Sequence, residues 1–242
     1  MEEFTRLLDA GCEELGIVLT EKQKEQFFKY FQLLTEWNQV MNLTAITEMP
    51  EVVTKHFVDS LLVVKVFDGI RTEAYSCIDV GTGAGFPGIP LKIAFPQLQI
   101  TLLDSLNKRV GFLNTVIQEL GLTWITAVHG RAEDFGRNKE YREQFDLCVS
   151  RAVANLSTLS EYCLPFVKEG GKFLPYKSGK VEEEAREAES AVKKLGGSMR
   201  ETKTLVLPGT DVDRTFVPID KINMTPKKYP RKAGMPGKEP LK

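Results

Sequence analysis

The feature that most constrains this chain is an apolar run that ends in glycines, Cys77-Ile78-Asp79-Val80-Gly81-Thr82-Gly83-Ala84-Gly85-Phe86-Pro87-Gly88. It reads as a strand entering a tight turn, with Pro87 placed for the first turn of a following helix. Glycine lets the backbone turn sharply and lets a ligand approach it closely. In an open α/β sheet the first strand-to-helix turn faces the crevice where ligands bind.

The rest of the chain agrees with such a sheet. Residues 1–68 read as helical, beginning with Phe4, Leu7, Leu8 and Cys12 at helical spacing. Thr20 and Gln23 fit a capping box, and Phe27, Phe28, Tyr30, Phe31, Leu34, Trp37 and Met41 follow as an apolar face. A third helix is expected from Pro50 through Val53, Phe57 and Leu61. Over residues 69–220, β-like runs at 76–80, 99–103, 124–128, 145–150, 171–176, 203–207 and 215–219 alternate with helical patterns near 88–95, 107–120, 154–167 and 180–195. That alternation predicts a mostly parallel, seven-stranded sheet with helices on both faces. The last two strands, separated only by a turn at Pro208-Gly209, form an antiparallel edge. Pro175 inside the fifth strand predicts an irregular strand end or a bulge at the crevice. Residues 221–242 carry seven Lys/Arg against one acid, Glu239, in a chain whose formal net charge is −1. A neutral total hides a basic end.

The loop contains Gly83-x-Gly85-x-x-Gly88, which matches the dinucleotide fingerprint. Two details favour S-adenosylmethionine over NAD. Asp79 stands before the first glycine, where a carboxylate suits an amine-bearing ligand and repels pyrophosphate. Phe86 and Pro87 put bulk where a pyrophosphate turn wants small residues. Asp104, 23 residues after Gly81, ends the second strand, where a carboxylate takes ribose hydroxyls. It suits either cofactor, or caps the next helix. Glu133, after the third strand, can reach an adenine amino group or act as a helix-start charge. Arg151, after the fourth, points into the crevice or pairs with a neighbouring acid.

Other chemistries lack their signatures. There is no Walker motif, no nucleophile elbow and no Asn/Asp-Pro-Pro-aromatic run after the fourth strand. Cys12, Cys77, Cys148 and Cys163 form no Cys-x-x-Cys pair, and with only His56 and His129 no metal-ligand spacing occurs. Nothing resembles a signal peptide or a membrane span, so a cytoplasmic location and no membrane partner are expected. The absence of a general base suits a nucleophile that carries no proton. Guanine N7 is one, and transfer of an activated methyl to it needs chiefly placement.

These residues resemble the bacterial small-subunit ribosomal RNA guanine-N7 methyltransferases, the glucose-inhibited division protein B family. The resemblance rests on the glycine loop, Trp37-Asn38-x-x-x-Asn42-Leu43-Thr44, His56-Phe57-x-Asp59-Ser60-Leu61, Asp104-Ser105-x-x-Lys108-Arg109, Arg131-Ala132-Glu133, Arg151-Ala152-Val153-Ala154 and Thr225-Pro226-Lys227-Lys228-Tyr229-Pro230-Arg231-Lys232. It covers nearly the whole chain. It implies a Rossmann-like S-adenosylmethionine-dependent methyltransferase domain preceded by helices, acting on a guanine of 16S rRNA near the decoding site, in naked RNA or the small subunit. Gly81, Phe86, Ala132, Glu133 and Arg151 match its cofactor-contacting positions, with Asp79, Gly83, Gly85 and Asp104 beside them. Arg151 orients the reactants. His56, Asp59, Ser60 and Lys177 are substrate-side candidates, although a cluster like the first three more often satisfies buried polar groups between domains. Lys227, Lys228, Arg231 and Lys232, with Tyr229 as a stacking ring, are expected to contact RNA and to order on it. A monomer is expected. The competing readings are an NAD-dependent oxidoreductase and a non-catalytic rRNA-binding or assembly factor.

Overall fold

A computed structural model of the protein describes residues 1–152, 154–179 and 181–242. Val153 of the motif after the fourth strand and Lys180, the expected start of a helix, lie outside the described residues. Strands β1 (Ser76–Val80), β2 (Gln99–Asp104), β3 (Ile125–His129), β4 (Phe145–Ser150) and β5 (Val167–Lys177) are parallel, in the order β3-β2-β1-β4-β5. Helices α5 (Gly88–Ala94), α6 (Asn107–Glu119), α7 (Ala132–Phe135), α8 (Leu156–Cys163) and α9 (Glu182–Lys194) follow the strands in alternation. Before them come α1 (Glu2–Glu14), α2 (Glu21–Met41), α3 (Met49–Val52) and α4 (Asp59–Leu61), and α10 (Met235–Lys238) lies near the C-terminus.

Alternate strand residues point to opposite faces, and the cores follow that rule. Cys77, Leu102 and Val149 join the N-terminal helices, α5 and α6, while Ile78, Leu103 and Cys148 join α8 and α9. The N-terminal helices are therefore part of the main core. Thr20 caps α2 in a complete capping box. The same Gln23 donates from Nε2 to the carbonyls of Ile93 and Ala94, 2.7 and 3.1 Å away, and so ties α2 to the end of α5.

Among the described residues the sheet has nine strands rather than the expected seven. β6 (Gly197–Met199) is too short to show a period-2 pattern. The run at 215–219 is cut by Val217-Pro218 into β8 (Asp213–Phe216) and β9 (Ile219–Lys221). β8 pairs antiparallel with β7 (Lys203–Val206) and with β5 at Tyr176 and Lys177; β9 pairs with β5 at Lys172 and Phe173. Pro175 lies in the gap between these two pairings, where its missing N–H leaves no ladder bond unmade. On its other side it stays in register with Ser150. The irregularity of β5 falls at the opposite end, between Phe145 and Leu147 of its partner β4, not at the crevice.

Residues 49–65 are helical but not uniformly α. A π segment, Val53–Val58, separates α3 from α4. There the Asp59 N–H bonds back to Thr54 and not to Lys55. The Lys55 carbonyl is thereby freed for another donor, as π-segments at functional sites commonly arrange.

Candidate active site

The glycine loop is held from below. Asp79 is fully buried; its Oδ2 accepts from Thr82 Oγ1 at 2.7 Å and from the Gly88 N–H at 2.9 Å. Asp104 Oδ2 accepts from the Gly83 N–H at 2.9 Å and Oδ1 from the Leu106 N–H at 2.9 Å. Tyr30 of α2, fully buried, donates its hydroxyl to the Ala84 carbonyl. A Cβ on Gly85 would stand 2.7 Å from that hydroxyl, and one on Gly88 2.3 Å from Leu102 Cδ2. These two glycines serve packing. Gly81 serves the crevice: it adopts φ +72° and lines a cavity of about 360 Å³.

Val80, Leu103 and Leu159 give that cavity apolar walls, and Ala132, Glu133 and Tyr162 complete the far side. Of the residues assigned to the cofactor from sequence, Gly81, Ala132 and Glu133 line it. Asp79 does not face it, because its carboxylate is used to shape the loop; its other oxygen, Oδ1, is buried without a hydrogen-bond partner among the described residues. Burial pushes the Asp79 carboxyl up to about 7, against the opposing pull of Thr82 and Gly88. The folded protein therefore binds more protons here than the unfolded chain between about pH 4 and pH 7. Stability from this group falls as pH rises through that window. Urea titrations should favour wild type over Asp79→Asn more near pH 5 than near pH 8, by on the order of a few kcal/mol.

A second cavity, about 540 Å³, adjoins the first at Ala152, which lines both. Here residues distant in sequence converge. Asp59, 1% exposed, accepts from Arg151 Nη1 at 2.8 Å and from Arg214 Nε at 2.7 Å. Arg151 Nη1 also reaches the freed Lys55 carbonyl at 3.1 Å, and Nη2 donates to His56 Nδ1 at 3.0 Å. A guanidinium cannot accept, so His56 carries its proton on Nε2 and donates it to Thr44 Oγ1, 2.7 Å away. Burial, followed by the Arg151 charge, holds the imidazole down at about 3, and it is neutral at physiological pH. Phe86 does not line the first cavity. Its ring stacks on His56 with centroids 4.5 Å apart, and the Arg151 guanidinium lies 5.1 Å from its centroid. Ser60 is fully buried and its carbonyl accepts from Tyr176 Oη at 2.6 Å. Lys177 stands on the rim, bonded to the Ala154 carbonyl and paired with Glu184.

The GidB family, described as rRNA small subunit methyltransferase G, matches residues 23–213. The chain belongs to this family. It is 56% identical over 231 residues to the ribosomal RNA small subunit methyltransferase G of Lachnoclostridium phytofermentans, covering 96% of this chain and 95% of that protein. It is 51% identical over 240 residues to that of Alkaliphilus metalliredigens, covering 99% and 100%. Solved structures share the fold at low identity. TrmN from Thermus thermophilus has a TM-score of 0.52 at 14% identity, over 70% of this chain and only 53% of its own. M. jannaschii TYW2 in complex with AdoMet has 0.52 at 14%, over 68% and 77%. The fold is the Rossmann-like one of S-adenosylmethionine-dependent methyltransferases, and the dinucleotide reading of the loop is not favoured.

The basic C-terminal segment is docked, which corrects part of its expected role. Tyr229 is buried in the core beside α8, so its ring is not free to stack on a base. Arg231 donates from Nη2 to Glu161 Oε2 at 2.7 Å, and Glu161 is fully buried. The Gly234 N–H donates to Glu133 Oε1 at 2.8 Å and Gly234 lines the first cavity, so the segment supplies part of that wall. Lys227, Lys228 and Lys232 remain exposed. Sequence reasoning missed Arg214, Tyr30 and Glu161; none lies in a recognisable motif, and only the fold gives each its partner. Among the described residues, no helix is long and apolar enough to cross a membrane.

Proposed function

We propose that this protein transfers a methyl group from S-adenosylmethionine to N7 of a guanine in 16S ribosomal RNA near the decoding site, as a cytoplasmic monomer. The observation that carries this reading is the pair of cavities sharing Ala152, one built on the glycine loop and the other on Arg151, Asp59 and His56. The first suits the cofactor: Gly81 opens it, leucines can sandwich a purine, and Glu133 offers a carboxylate to an amino group. When bound, S-adenosylmethionine supplies a methyl on a cationic sulfur, and its transfer moves the positive charge to the base. Among the described residues, both Asp59 oxygens and both His56 nitrogens are hydrogen-bonded within the Arg151 cluster. It acts by orientation, and N7 needs no base.

Mapping the modified nucleotide in 16S rRNA or small subunits incubated with purified protein and labelled S-adenosylmethionine tests this. Label on a guanine N7 is expected; no label would leave a non-catalytic RNA-binding protein. Lys227, Lys228 and Lys232 are free to meet phosphates. Neutralising all three should lower RNA affinity and reduce the slope of log affinity against log salt by roughly one per lysine. An unchanged slope would remove the tail from the RNA interface.

A further inference from the structure

We propose that residues 231–239 complete the cofactor site, with Gly234 and the Arg231–Glu161 pair as positioning residues that fix the Glu133 carboxylate for the adenine amino group. This deepens the functional reading above and rests on it in placing the cofactor in the first cavity. Glu133 lines that cavity and is 7% exposed. Among the described residues its carboxylate accepts one hydrogen bond, from the Gly234 N–H to Oε1 at 2.8 Å, across 101 positions of sequence. A glutamate side chain has several torsions, and this bond holds one oxygen and so sets where the other can point. Gly234 is itself part of the cavity wall. Whatever holds Gly234 in place therefore acts on the cofactor site.

Arg231 stands three residues before Gly234 and is bound to α8 by backbone and side chain together. Its N–H donates to Glu161 Oε1 at 2.7 Å, its Nη2 donates to Oε2 at 2.7 Å, and its Nε lies 3.0 and 3.1 Å from the two oxygens. Glu161 is fully buried. Burying a carboxylate is costly, and a buried ion pair is better suited to fixing a register than to adding stability. A forked guanidinium pair adds geometry to charge. Here the register is that of the C-terminal segment: with Arg231 fixed, Gly234 meets Glu133. On the same helix Thr158 Oγ1 donates to the Pro236 carbonyl at 2.9 Å. Tyr162, another residue of the cavity wall, has its hydroxyl 3.5 Å from the place that a Cβ on Gly237 would take. Apolar burial contributes little, since between 231 and 239 Pro236 alone is buried. A segment held by polar contacts lies at the low end of local stability, and a ligand that binds better with it docked holds it down.

Calorimetric titration of the full chain with S-adenosylhomocysteine, and with its analogue carrying hydrogen in place of the adenine amino group, tests this. Wild type should bind the analogue about tenfold more weakly. In Gly234→Pro, which removes the N–H, and in Arg231→Ala, affinity for S-adenosylhomocysteine should fall about tenfold and the analogue penalty should shrink to about twofold or less. Loss of the penalty separates a positioning role from a general loosening, which would weaken both ligands alike. Arg231→Lys keeps the charge without the fork and should fall between; it carries the comparison if the alanine variant does not fold. Glu133→Ala is the control and should lose the penalty outright. A penalty lost in Glu133→Ala but kept in the folded Gly234 and Arg231 variants overturns the proposal. An undiminished penalty in Glu133→Ala, or none in wild type, overturns the placement of the cofactor against Glu133, and the proposal with it.

Discussion

Asp59→Ala is expected to destabilise the protein by about 3–5 kcal/mol and to abolish methylation. The carboxylate is 1% exposed and each oxygen faces a different guanidinium, Arg151 at 2.8 Å and Arg214 at 2.7 Å. Without it two cations face each other in a partly buried site, with 19% and 18% of their side chains exposed. The penalty comes mostly from leaving those charges uncompensated, so Asp59→Asn, which keeps the shape and one acceptor, should recover part of the stability and little of the activity. Arg151 would also lose the contact that holds it against Phe86 and His56. Urea unfolding measured beside methyl incorporation separates the two losses. A variant within about 1 kcal/mol of wild type would mean that water replaces the carboxylate and that the cluster is not cooperative.

Gly81→Val should weaken S-adenosylhomocysteine binding by at least about a hundredfold and cost roughly 1–3 kcal/mol of stability. The backbone at Gly81 sits at φ +72°, a region that β-branched residues strongly disfavour. A Cβ there would stand 3.2 Å from the Ala152 Cβ, at the wall the two cavities share, and the valine branches would extend into the space left for the ligand. Gly88→Ala makes a useful contrast. Its Cβ would meet Leu102 and the Asp79 carboxylate, inside the fold, so it should lower stability more than it alters affinity in the molecules that remain folded. Calorimetric titration of both variants checks the distinction. Unchanged affinity in Gly81→Val would place the ligand elsewhere.

The site divides along the same line as these variants. The strand, the glycine turn and α5 were legible because their signals are local: an apolar run, glycines where the backbone must turn, and alternation of strand and helix. The capping box at Thr20 and Gln23 and the helical character of residues 1–68 were legible for the same reason. The sheet edge was less so, because β6 and β9 are three residues each and their pairing is set by neighbours, not by pattern. The basic tail was legible as charge but not as structure. Which of its residues stay in water depends on Glu161, a buried acid 70 positions earlier in the chain.

The parallel α/β sheet with a glycine turn after its first strand was written in the sequence, and the motifs placed the chain in a methyltransferase family. The fold decided which distant side chains meet around that turn and in the adjoining cavity. Asp59 and Arg214 are 155 positions apart, Lys55 is freed by a π turn, and Tyr30 reaches the loop from another helix. The reason is physical. Backbone propensity and hydrophobic period act over a few residues and are written in consecutive letters. The pairing of buried charges is settled only when burial removes water and each charge takes the partner that the fold has brought within reach.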